Sequence, residues 1–161
     1  MKKVIKLVNQ LIENKETIST MESCTGGFVA STITNADNSS QVLKYSCITY
    51  SNEFKIKSGV KKETIDKYSV YSIEVAKEMS KCISKYTDST YGVGITGKIN
   101  RTDINNQYGN DNEVFISIYN SKDNTYKEIK LLCPNKTREK VKKYITNIIL
   151  NNLIKITKLN N

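Results

Sequence analysis

The run TISTMESCTGG at residues 17–27 constrains this chain more than any other. Residues 17–22 are short and β-branched, so they read as a strand. The small residues Ser23-Cys24-Thr25-Gly26-Gly27 follow as a sharp junction, and residues 28–34 then take on helical character. A strand, a small-residue turn and a helix in that order make an α/β unit. The paired glycines let backbone come close to a ligand or a neighbouring segment.

The rest of the chain keeps the same alternation. Residues 2–14 place Val4, Ile5, Leu7, Val8, Leu11 and Ile12 at helical spacing. Residues 38–41 read as a loop and residues 42–50, VLKYSCITY, as a strand. After the turn Ser58-Gly59 a short helix is predicted over 61–67. Ser72 is a good N-cap for a helix over 73–86, with Val75, Met79, Cys82 and Ile83 on one face. TYGVGIT at 90–96 suits a buried strand, and the polar, Asn-rich stretch 98–112 a long loop. The segments 113–119 and 125–132 alternate apolar and polar residues around Ser121-Lys122-Asp123-Asn124, which predicts a hairpin. A long helix carries Val141, Ile145, Ile148, Ile149 and Leu153 within 136–155. Strands interleaved with helices in this way predict an α/β fold, a three-layer α/β/α sandwich with a mixed sheet. At 161 residues, with no internal repeat or linker, the chain is expected to be one domain over 1–161.

Composition narrows the function. No apolar run approaches the length of a membrane span. The N-terminal MKKVIKL resembles a signal peptide for a few positions only, before Asn9, Gln10, Glu13 and Asn14 turn it into a surface helix. The cysteines Cys24, Cys47, Cys82 and Cys133 form no C-x-x-C pair, and no histidine is present to complete a zinc site. Free thiols of this kind suit a reducing, cytoplasmic setting. A net charge of +9 fits an anionic ligand, but a chain rich in Lys, Asn and Ile also reaches it through coding bias. No basic stripe interleaves with aromatics, so nucleic acid is not the expected partner.

Three polar clusters could carry chemistry. The first is Glu22–Gly27, where a helix N-terminus offers N–H groups to a developing oxyanion; the same run also fits a plain turn capped by Ser23 or Thr25. The second is Tyr50-Ser51-Asn52-Glu53-Phe54-Lys55, at the end of a predicted strand, where α/β folds place ligands. The third is Gly94-Ile95-Thr96-Gly97, at another strand end. Without histidine, Ser-His and Cys-His devices are excluded. A lysine or a carboxylate must then serve as base, and Ser23 with Lys55 is a chemically sensible pair, with Cys24 the rival nucleophile.

These residues carry a resemblance. ESCTGG at 22–27, YSNEFK at 50–55, Gly59-Val60, the helix start Val70-Tyr71-Ser72 and the strand end Ile95-Thr96-Gly97 occur in the same order and at similar spacing in the CinA C-terminal domain family. The chain resembles that family over nearly its whole length and looks like a stand-alone version, without the N-terminal domain that CinA proteins carry. The family includes the bacterial nicotinamide-nucleotide amidases. The resemblance implies hydrolysis of nicotinamide mononucleotide to nicotinic acid mononucleotide and ammonia, with no metal or organic cofactor, by a homo-oligomer acting on a small-molecule nucleotide. It implies Ser23 as nucleophile and Lys55 as its general base. Tyr50 would assist through its hydroxyl, and Thr96 would hydrogen-bond in the same site. Thr25, Gly26, Gly27 and Gly97 would line the pocket, and Arg138 would hold the substrate phosphate. One stretch departs from the family: Thr96-Gly97-Lys98-Ile99-Asn100-Arg101 stands where members usually continue Thr-Gly-Ile-Ala-Gly-Pro. Lys98 and Arg101 could supply phosphate contacts there by side chain. The departure also motivates a second reading, a non-catalytic relative that binds a nucleotide or a partner protein.

Overall fold

The computed structural model describes residues 1–100 and 104–158. The chain opens with helix α1 (Lys2–Glu13), strand β1 (Ile18–Glu22) and helix α2 (Phe28–Ile33). A one-turn 3-10 helix (Ser39–Gln41) leads into β2 (Leu43–Ile48), then α3 (Asn52–Lys57), α4 (Lys62–Tyr68) and α5 (Ile73–Thr87). Strands β3 (Tyr91–Gly97), β4 (Glu113–Asn120) and β5 (Thr125–Leu132) follow, and α6 (Arg138–Lys158) ends the described chain.

The sheet has five strands in the order β2-β1-β3-β4-β5. β1 pairs in parallel with both β2 and β3, while β3–β4 and β4–β5 are antiparallel, so the sheet is mixed as predicted. The hairpin expected over 113–132 is β4–β5.

Each face of the sheet is covered. On one side Ile18 of β1, Tyr91, Val93 and Ile95 of β3, and Val114, Ile116 and Ile118 of β4 pack with apolar stripes of α1, α2 and α6. On the other, Met21 packs with Val60 and with Val75, Met79 and Ile83 of α5. The period of two along β3 explains the split: odd positions send large side chains into the first core, and even positions face α5. At Gly92 and Gly94 an added Cβ would lie 1.9 Å from the Ser80 carbonyl oxygen and 2.2 Å from that of Ala76. Helix α5 therefore rests on the bare backbone of β3.

The cluster at 50–55 does follow the end of a strand, but most of it is helical. β2 stops at Ile48, and residues 52–57 form α3. The Ser51 hydroxyl accepts the Phe54 N–H at 3.2 Å, Glu53 lies in the first turn, and Lys57 pairs with Glu53 four residues back. These are ordinary helix-start signals, obscured by the apolar run of the preceding strand.

The topology sets the location of any site. Glu22 is in register with both Ile48 and Ile95, so the chain leaves β1 at Ser23, β2 at Thr49 and, two residues past that register, β3 at Lys98, all at one edge of the sheet. Ligands of α/β sheets gather at such carboxyl ends.

Candidate active site

The turn after β1 is shaped from inside. Gly26 and Gly27 adopt φ of 61° and 88°, values that favour glycine. The fully buried carboxylate of Glu22 sits beneath them. It accepts the Thr25 hydroxyl at 2.6 Å and the N–H groups of Gly27, Val29 and Ala30 at 3.0, 3.2 and 2.9 Å. The first amides of α2 are thus used by the protein itself. Of the three residues expected to line a pocket with N–H groups, Gly26 and Gly27 have theirs engaged within the turn, and Thr25 has its hydroxyl engaged. The Thr25 hydroxyl and the Gly27 amide bond Glu22, and the Gly26 amide bonds the Ser23 carbonyl at 3.0 Å. Among the described residues, the N–H groups of Cys24 and Thr25 donate neither to Glu22 nor to a backbone carbonyl.

Ser23 stands at the mouth of this turn, 6% exposed. Lys55 reaches it from α3. Helical side chains lean toward the helix N-terminus, so the lysine runs back under Ser51 toward the end of β2. Its Nζ donates to Ser23 Oγ at 3.1 Å and to the Thr49 carbonyl at 2.7 Å, and the residue is 1% exposed. The structure therefore joins a hydroxyl and an amine that are 32 residues apart in the chain.

A cavity of about 690 Å³ opens in front of Ser23. Its walls include Tyr50, Asn52, Gly97, Lys98, Ile99 and Arg138. Arg138 donates from Nη1 to the Ile99 carbonyl at 2.5 Å and from Nη2 to the Tyr50 hydroxyl at 3.4 Å. Tyr50 is 64% exposed and meets Arg138 at the rim, away from the Ser23–Lys55 bond. Gly97 reaches the wall at φ 154°, and an added Cβ there would lie 2.5 Å from the Glu113 carbonyl oxygen. The Asn52 amide spans the opening to Asn106 Oδ1 at 2.8 Å.

Thr96 does not join this constellation. It lies on the even face of β3, and its buried hydroxyl donates to the Val70 carbonyl at 2.9 Å, on the α5 side of the sheet. Strand parity decides this, because Thr96 follows Gly92 and Gly94 rather than the cavity wall. Arg101 lies outside the described residues. Asn100 takes φ 62°, the left-handed conformation that asparagine tolerates, and its side-chain amide donates to the Lys136 carbonyl.

Cys24 is unsuited to act as the nucleophile. It is 4% exposed, and burial, with a smaller contribution from Cys133, pushes its thiol up to about 12. Its reactive thiolate is suppressed at neutral pH. Sequence reasoning overlooked the role of Glu22: an acid just before a small-residue turn and a helix was the available signal, but the five-residue gap to Gly27 hides it as a cap.

The profile of the CinA C-terminal domain matches residues 2–157. The chain belongs to the CinA C-terminal domain family. A CinA-like protein of Endomicrobium trichonymphae is 48% identical over 88 residues, which cover 54% of this chain and 21% of that protein. A CinA-like protein of Flavobacterium psychrophilum is 42% identical over 111 residues, 67% of this chain and 26% of its own length. The aligned part thus spans only a fifth to a quarter of these curated CinA relatives. Among solved structures, a CinA superfamily protein of Klebsiella pneumoniae superposes with a TM-score of 0.89 at 18% identity, covering 98% of this chain and 96% of that one. The competence/damage-inducible protein CihA of Agrobacterium tumefaciens gives 0.82 at 21% identity, covering 94% of each chain. At those identities the CinA structures establish the shared α/β/α fold. Among the described residues no helix is long and apolar enough to cross a membrane.

Proposed function

We propose that this CinA domain hydrolyses the carboxamide of nicotinamide mononucleotide, releasing ammonia and nicotinic acid mononucleotide. The observation that carries the reading is the 3.1 Å contact between Lys55 Nζ and Ser23 Oγ at the wall of a nucleotide-sized cavity. A chain with no histidine needs an amine or a carboxylate to deprotonate its nucleophile, and here the amine is in place.

In this reading Lys55 in its amine form takes the Ser23 proton across the contact. Ser23 Oγ attacks the carboxamide carbon, and the Thr49 carbonyl steadies the resulting ammonium. The turn N–H groups of Cys24 and Thr25, left over by Glu22, serve the tetrahedral oxyanion. Lys55 returns its proton to the departing nitrogen, ammonia leaves, and water cleaves the acyl-serine with Lys55 again as base. Arg138 receives the phosphate, as a fork of donors suited to such oxygens. Tyr50 then acts by holding Arg138 rather than by touching Ser23. Thr96 braces the sheet against the Val70 carbonyl and does not touch the substrate.

The domain works as a homo-oligomer in the cytoplasm in this reading. Ile48, Tyr50 and Phe54, each more than half exposed, line the open side of the cavity beside the edge strand β2.

The test is ammonia release from nicotinamide mononucleotide by wild type, Ser23→Ala and Lys55→Met. Both variants are expected to lose about a thousandfold or more in kcat while keeping the fold. A Ser23→Ala protein that releases ammonia at the wild-type rate rules the mechanism out.

A further inference from the structure

The cavity carries a second cation that the amidase chemistry does not use. Lys98 follows directly after Gly97, whose backbone turn swings the chain off β3 and into the cavity wall. Lys98 is 3% exposed. Its Nζ donates to the carbonyls of Gln107 and Gly109 at 3.3 and 3.2 Å and lies 5.3 Å from the centre of the Tyr71 ring. All of these partners are neutral. The partners of Arg138, the Ile99 carbonyl and the Tyr50 hydroxyl, are neutral as well. Neither cation forms an ion pair among the described residues, and no carboxylate lies among the described residues lining the cavity.

A buried charge is costly unless an opposite charge answers it. Carbonyl dipoles and an aromatic face offset part of that cost and leave the charge of a cavity-lining residue without a carboxylate partner. An ammonium has three N–H donors, and two are engaged. Arg138 likewise keeps guanidinium donors beyond its two bonds. We propose that Lys98 and Arg138 together form a two-cation clamp for a phosphomonoester, so that Lys98 is the residue that selects a nucleotide over the matching nucleoside. A monoester dianion answers both charges, whereas a nucleoside answers neither. The identity of the nucleotide rests on the amidase reading above; the preference for a phosphomonoester rests on the two cations alone.

The test measures binding in a Ser23→Ala background, which prevents turnover. Affinities for nicotinamide mononucleotide and nicotinamide riboside are compared with Lys98 intact, as Lys98→Met and as Lys98→Arg. With Lys98 intact, the mononucleotide binds more tightly than the riboside, and inorganic phosphate competes. Lys98→Met weakens the mononucleotide about ten- to hundredfold and leaves the riboside unchanged, while Lys98→Arg restores most of the difference. Equal loss of both ligands in a folded Lys98→Met protein marks a merely structural lysine and overturns the proposal, as does full mononucleotide affinity in that variant. Should Lys98→Met fail to fold, the comparison with Lys98 intact decides: equal affinity for nucleotide and riboside overturns the clamp. Lys98-dependent binding of the mononucleotide without any ammonia release from wild type would remove the amidase and keep the clamp.

Discussion

Glu22 determines how the amides of α2 are used. Three N–H groups that the sequence left free for an oxyanion converge instead on its buried carboxylate, which also takes the Thr25 hydroxyl. Removing it orphans those donors inside the protein. Glu22→Ala is therefore expected to cost about 3 kcal/mol in urea unfolding, with Glu22→Gln milder because an amide oxygen still accepts. Cys24 gives a second prediction at this scale. Its thiol, ordinarily near 9.0, is pushed up to about 12 by burial. The unfolded chain thus loses that proton first, and stability falls as pH rises above 9 toward 12. Cys24→Ala should flatten part of that alkaline slope, measured as unfolding free energy between about pH 8 and 10.5. Ser23 and Lys55 were legible from residue chemistry, since a chain without histidine offers few bases. The choice of Ser23 over Cys24 was only a preference in the sequence, because burial is what disarms the thiol and burial is a tertiary property.

Among the elements, most helices and strands followed from periodicity, and their ends shifted by only one to three residues. The exception, α3, carries the base. Its six residues are too few to show a helical stripe, so the Ser51 cap is its main local sign. A lysine on a strand end would point to one face of the sheet; on the first turns of a helix it leans back beneath the β1 turn. The glycines of β3 are a comparable case. The sequence shows Gly92 and Gly94 spaced by two, but only the packing of α5 explains why no side chain fits there. Gly94→Ala is expected to lose about 3 kcal/mol or fail to fold, because the helix backbone must give way to the new methyl. Chemical denaturation of the purified variant, beside thermal melting, checks it.

Over the whole molecule, charge and cavity act together. The +9 net charge, read from composition, fits both a coding bias and an anionic ligand. The cavity supports the second, since its described walls hold Lys98 and Arg138 and no acid. Long-range attraction of this kind is screened by salt. In the amidase reading, kcat/KM for nicotinamide mononucleotide should therefore fall several-fold from about 0.05 to 0.5 M salt while kcat holds, as followed by ammonia release. By itself the sequence determined the α/β alternation, the hairpin, the family and the short list of reactive side chains, because these depend on spacing and residue type along the chain. Tertiary structure alone decided which of them meet. It brought Lys55 to Ser23, took Thr96 to the other face, handed the α2 amides to Glu22 and put two cations in the lining of one cavity. Such outcomes depend on strand parity, parallel pairing and burial, which arise only when distant segments pack.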